Sequence, residues 1–139
     1  MRQIVIRHCS RTFLKTSVLL ILLTIFTTGQ DNGIRINRLE IQAPWTGFYV
    51  GQGRQMWGKA VVNNSSDTAL RELKVQFEFF DPVGPRETFT QQLASIQPGG
   101  TVSVESPQWW DYSGADIGMK VTVLGPDTSR PLAERSTGG

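Results

Sequence analysis

The chain has 139 residues, 14 of them Lys or Arg and 12 Asp or Glu. Its one histidine and one cysteine, His8 and Cys9, both precede an apolar run near the N-terminus, so nothing beyond that run carries an imidazole or a thiol. This excludes a histidine base, a cysteine nucleophile, soft-metal ligation and any disulfide from the body of the chain.

The first element is residues 1–29, with Arg2, Arg7, Arg11 and Lys15 and no acid, followed by an uncharged stretch centred on residues 18–26. A basic head, a short apolar run and small Thr27 and Gly29 read as a signal peptide cleaved after Gly29. The alternative is an uncleaved membrane anchor, although a spanning helix takes roughly 20 apolar residues and this run is shorter. Cys9 lies ahead of the run, whereas the lipidated cysteine of a lipoprotein follows it. The expected destination is therefore export, periplasmic or extracellular, or a membrane-anchored domain facing outside. Without the leader ten basic residues stand against twelve acidic ones, a net of −2, so the overall pI near 9.0 belongs to the leader. The ten are scattered and form no stripe, which argues against a nucleic-acid partner.

Residues 30–125 read as one domain built from strands. In 34–42, Ile34 and Ile36 are followed by Leu39 and Ile41 in the opposite phase, which predicts a strand with a bulge. Gly51-Gln52-Gly53-Arg54 has the look of a phosphate loop, but such a loop opens a helix, and the residues after this one are strand-like. A strand over 57–62 ends in the turn-prone Asn63-Asn64-Ser65-Ser66-Asp67, which satisfies the N-glycosylation pattern twice. The clearest strand is 73–81, where Leu73, Val75, Phe77 and Phe79 alternate with Lys74, Gln76 and Glu78, leaving one dry and one wet face. Phe80 breaks the alternation, and Asp81-Pro82-Val83-Gly84 turns the chain. Residues 87–96 are extended, with Phe89, Leu93 and Ile96 apolar, and Gln97-Pro98-Gly99-Gly100 turns into 101–105, where Val102 and Val104 point one way. Ile117, Met119, Val121 and Val123 make the last predicted strand. Residues 126–139, polar and Ser/Thr/Pro/Gly-bearing, are expected to form a flexible tail.

About six or seven short strands separated by regular turn signals predict an all-β chain, an immunoglobulin-like antiparallel β-sandwich. The cysteine pair and the tryptophan between them that mark antibody domains are missing.

Three segments go further. Gly58-Lys59-Ala60-Val61-Val62-Asn63-Asn64-Ser65, then Leu73-Lys74-Val75-Gln76-Phe77-Glu78-Phe79-Phe80-Asp81, then Ile96-Gln97-Pro98-Gly99 resemble the FxLYD-type domain. The resemblance runs from Gly58 to Val123, with Gly58, Asn63, Phe77, Phe79, Phe80, Asp81, Pro98 and Gly99 at its motif positions. Phe80 stands where the family has tyrosine, which removes the hydroxyl and its polar partner. Residues 107–116 fall outside the pattern. The resemblance implies a small immunoglobulin-like sandwich of exported, envelope-associated prokaryotic proteins, without catalysis and without a specific ligand.

Within the unmatched insert, Trp109, Trp110 and Tyr112 are the sharpest candidates for ligand binding. In a strand, adjacent indoles alternate faces and only one enters the core, whereas a loop presents both to a sugar ring or a partner. Asp111, Ser113 and Asp116 have oxygen-ligand spacing for calcium, but two carboxylates fall short of its six to eight oxygens. Serine chemistry lacks a histidine base and any Ser-x-x-Lys spacing, and a hydrolase using Asp111 and Asp116 would need a cleft between two acids.

The sequence thus reads as a non-enzymatic exported interaction or structural module at the cell envelope, with no cofactor, metal or catalytic residue. Its expected partner is another envelope or surface protein, or a glycan. The membrane is touched only through the N-terminal segment, if that is retained. The alternative is a carbohydrate-binding module using Trp109, Trp110 and Tyr112.

Overall fold

The protein is described by a computed structural model over residues 33–43 and 53–138. The leader and Gly51-Gln52 of the glycine loop lie outside the described residues. Among those residues every regular element is a strand: β1 (Ile34–Gln42), β2 (Arg54–Asn64), β3 (Leu70–Asp81), β4 (Gly84–Ile96), β5 (Thr101–Glu105), β6 (Trp109–Asp111), β7 (Gly118–Leu124) and β8 (Pro131–Thr137). They form two antiparallel sheets. One has the order β1-β2-β5, with β6 also on β2, and the other has the order β4-β3-β7-β8.

The period-two pattern of β3 fixes its orientation. Leu73, Val75, Phe77 and Phe79 are all buried, and so are Met119, Val121 and Val123 of the neighbouring β7. From the other sheet, Met56, Ala60 and Val62 of β2 close the core. Phe77 lies opposite Phe89 on one side and Val121 on the other, and Phe79 meets the Phe89 ring edge-on at 6.2 Å. Gly58 sits among these side chains because nothing larger fits: a Cβ there would run into Met119 Sδ and lie 3.0 Å from Phe77.

The predicted bulge in β1 is present, as a register shift between Ile36 and Arg38. It frees the carbonyls of Ile36 and Asn37, and both accept from Arg135 Nη1 of β8, at 2.9 and 2.6 Å. That arginine links the edges of the two sheets. A second link is Asn64. Its buried amide donates to the carbonyls of Thr68 (2.8 Å) and Ile96 (3.0 Å), while its Oδ1 accepts from the Ser66 N–H and hydroxyl. With both amide protons bonded internally, Asn64 is no glycosylation acceptor. β3 also carries a kink that the sequence did not announce: Glu72 has φ 55°, and Leu70 and Leu73 both pack on the core from either side of it.

Two expectations need correction. The described residues hold eight strands, not six or seven, and the polar segment expected to be a flexible tail contains β8. Leu132 and Ala133 pack against the core, and β8 pairs with β7 from Met119 to Leu124. The exposed backbone edge of a buried strand demands a partner whatever that partner's side chains are. A strand polar on most positions carries no alternation to detect.

Candidate functional site

The site grows from a discontinuity beside β2. β5 pairs with β2 over Lys59 to Asn63, and β6 pairs with it over Arg54 to Met56. Between these stretches three residues, 106–108, face only two, Trp57 and Gly58. The extra residue is a bulge, and Pro107, with no N–H to give a ladder, sits within it. Ser106 closes the gap: its Oγ accepts from the Gly58 N–H at 2.8 Å, and its own N–H donates to the Gly58 carbonyl at 2.9 Å.

One extra residue reverses the facing of everything after it. Val104 and Ser106 are buried ahead of the bulge; beyond it Asp111 is buried and Trp109 half-buried, while Trp110 points out. Trp109 packs on Phe79, ring centroids 5.3 Å apart, and its indole N–H is enclosed without a hydrogen-bond partner. Trp110 is 51% exposed and Tyr112 75%. Their rings stack at 6.5 Å with 24° between planes. The Tyr112 ring lies across the backbone of Gly53, where a Cβ would be 2.5 Å from Cε1.

Asp111 holds this pair in place from beneath. Arg54 Nε donates to its Oδ2 at 2.8 Å, and the same guanidinium donates to the Ala115 carbonyl. Ser113 donates to Oδ1 through its N–H (3.0 Å) and its hydroxyl (2.6 Å). Burial pushes the Asp111 carboxyl up, but the Ser113 bonds and Arg54 together outweigh it and hold the group below the usual carboxylate range.

The outer face around Trp110 is lined with neutral amides. Gln55 lies opposite Trp110 in register, and its Nε2 donates to Gln108 Oε1 at 2.5 Å. Two residues along β2 on the same face is half-buried Trp57, opposite Gln42 of β1. On this face the nearest charges along β2 and β5, Lys59 and Glu105, face one another at 3.6 Å, and on β1 Glu40 pairs with Arg38 and accepts from Gln42 Nε2 at 3.1 Å.

Of the three residues expected to bind together, the structure joins two. Trp109 is turned away from Trp110 and Tyr112 by the strand's alternation and belongs to the packing between the sheets. Trp57, Gln55 and Gln108 were missed. Trp57 was visible in the sequence as the residue between inward-facing Met56 and Gly58, but its partner across the strands was not. Asp111 is bonded to Arg54 and Ser113, so it offers calcium no open oxygen pair and offers a hydrolase no free acid. Asp116 is exposed beyond the turn at Gly114. Among the described residues no three His, Cys, Asp or Glu side chains cluster to hold a metal. Of the glycine loop's described residues, Gly53 lies under Tyr112 and Arg54 is bonded to Asp111.

The motif positions are structural. Phe77 and Phe79 are core, and the Phe80 ring covers Gly118 on the outer face of β7. Asp81 accepts from the N–H groups of Val83 and Gly84, at 2.8 and 3.0 Å, and from Arg86. Asn63 Nδ2 donates to the Gly100 carbonyl and Thr101 Oγ1, bracing the turn that Pro98 and Gly99 (φ 68°) form.

No protein-family model matches the sequence, and no curated protein matches it. Solved structures do resemble the fold. A β-glucuronidase of Bacteroides uniformis matches with TM-score 0.64 and 12% identity over 76% of this chain. A β-glucuronidase from glycoside hydrolase family 2 matches with TM-score 0.63 and 6% identity over 76%. The chain spans only 14% and 12% of those enzymes. The C-terminal domain of wzt matches with TM-score 0.58 and 14% identity, over 76% of this chain and 71% of that one. At such identities the likeness concerns the β-sandwich and nothing finer.

Proposed function

We propose that this protein is a non-catalytic, exported interaction module of immunoglobulin-like architecture, and that its contact surface is the outer face of the β1-β2-β6 end. The sheet orders β1-β2-β5 and β4-β3-β7-β8 support a Greek-key sandwich of immunoglobulin type, and the three motif segments support a relation to FxLYD-type domains. The basic, apolar N-terminal segment supports export to the cell envelope. The absence of imidazole and thiol from the body, with Asp81 and Asp111 both tied to arginine, supports binding rather than turnover. The observation that carries the reading is the stacked Trp110–Tyr112 pair, 51% and 75% exposed, on a mount fixed by the half-buried Arg54–Asp111 pair: two large rings held out to solvent form a contiguous aromatic surface.

The test is photocrosslinking in living cells with the full chain. A benzophenone amino acid at Gln55, beside Trp110, is expected to give an adduct that is lost in the Trp110→Ala/Tyr112→Ala background. The same probe at Lys74, on the outer face of the other sheet, is expected to give none. Absence of an adduct at Gln55, or equal adducts at both positions, overturns the proposal.

A further inference from the structure

We propose that this face binds a neutral glycan chain, with Trp57, Trp110 and Tyr112 as its stacking platform and Gln42, Gln55 and Gln108 as partners for its hydroxyls. The inference rests on the contact-surface reading above and adds the ligand's chemistry and its length.

The pattern of side chains is the argument. Each outward indole stands against an amide in register, Trp57 against Gln42 and Trp110 against Gln55. A pyranose has that same mixed character: a C–H face that stacks on an aromatic π-face, and a rim of hydroxyls that both donate and accept. A glutamine amide donates and accepts too, so a single side chain satisfies a hydroxyl whichever way it turns. A protein partner would favour a different surface, with a dry aromatic centre and polar groups moved to the rim. Here the amides are interleaved with the rings.

Charge narrows the ligand further. Lys59 and Glu105 face each other, Glu40 is paired with Arg38 and accepts one proton of the Gln42 amide, and Asp111 is neutralised by Arg54 beneath the platform. An acidic sugar finds no uncompensated cation in register with the rings, whereas a neutral one needs none. Geometry sets a minimum length. Trp57 and Trp110 are diagonal neighbours on adjacent strands, their backbones about 7–8 Å apart, so a ligand that stacks one sugar on each indole has at least two units. The platform is also preorganised: the register on β2 fixes which tryptophan faces out, and the Arg54–Asp111–Ser113 network fixes Tyr112 beside it, so little side-chain freedom is lost on binding.

The experiment titrates the full chain with cellohexaose, mannohexaose, maltohexaose and an acidic oligogalacturonate, followed by tryptophan fluorescence and calorimetry. At least one neutral hexamer is expected to bind with an affinity unchanged by added salt. Trp110→Ala and Trp57→Ala are each expected to weaken it about tenfold, and Asp116→Asn to leave it unchanged. Because Trp57 is half-buried, Trp57→Phe is measured beside it; the smaller ring should weaken binding less than alanine at an unchanged melting temperature. Failure of every neutral hexamer to bind overturns the inference, as does preference for the acidic oligomer with strong salt dependence. If the Gln55 adduct forms but is a protein adduct, destroyed by protease and untouched by periodate, the ligand class is wrong and the contact surface stands. If no adduct forms, both fall.

Discussion

Asp111 lies between two aromatic residues in the sequence, yet its chemistry is set by Arg54, 57 positions away. The acid was legible as an acid; its role as an anchor was not, because a lone sequence does not say which cation a carboxylate will face. Its lowered pKa gives a stability prediction with a definite sign. A carboxyl depressed in the folded state contributes stability in full above the unfolded value near 3.9, and that contribution disappears as pH falls from there through the lower folded value. Asp81, bonded to Val83, Gly84 and Arg86, has a lowered pKa as well and acts in the same window. Denaturant unfolding is therefore expected to show stability level between pH 5 and 8, where no histidine beyond residue 8 titrates, and falling below about pH 4. Asp111→Asn should be less stable at neutral pH and lose less between pH 4 and pH 2. An acid limb as steep as that of wild type would show that Asp111 contributes nothing to it.

At the scale of elements, the decisive object is the register around the bulge at residues 106–108. Trp109 and Trp110 are chemically identical and adjacent, and their register on β2, with the bulge absorbing the extra residue, decides which enters the sandwich. Deleting Pro107 should leave Ser106 and Gln108 opposite Gly58 and Trp57, closing the ladder while Trp109 stays opposite Met56 and Trp110 opposite Gln55. The Arg54–Asp111 pair and the Gln55 crosslink are expected to survive this deletion. Loss of the crosslink would mean that the bulge, and not the register on β2, sets the facing of Trp110. Strands β1, β3, β5 and β7 were readable because each has one dry and one wet face. β8 was not, since its pairing with β7 is a backbone matter and its side chains are mostly polar.

At the scale of the whole sandwich, the described residues share one core between two sheets, and a single cysteine in the chain leaves it without a disulfide staple. Phe77 is at its centre, fully buried between Phe89 and Val121 and against the place where Gly58 leaves room. Phe77→Ala is expected to destabilise the domain by about 3–5 kcal/mol, a large share of the roughly 5–15 kcal/mol typical of a domain. A melting temperature lowered by only about a degree would mean that the cavity collapses or that the core is not continuous there. Arg135 on the bulge carbonyls of β1, and Asn64 on the Ile96 carbonyl, add hydrogen bonds between the two sheets.

The sequence by itself determined the class of the fold, the phase of its best strands, the bulge in β1 and the poverty of its catalytic inventory, because these depend on local alternation and on which side chains exist. The tertiary structure decided which tryptophan faces water, that Trp57 and Gln55 stand beside it, that Asp111 is bound by Arg54, and that the polar C-terminal segment is a strand. Each of these is a pairing between residues far apart in the chain. Such pairings follow from register and chain count across strands, which no local pattern of hydrophobicity records.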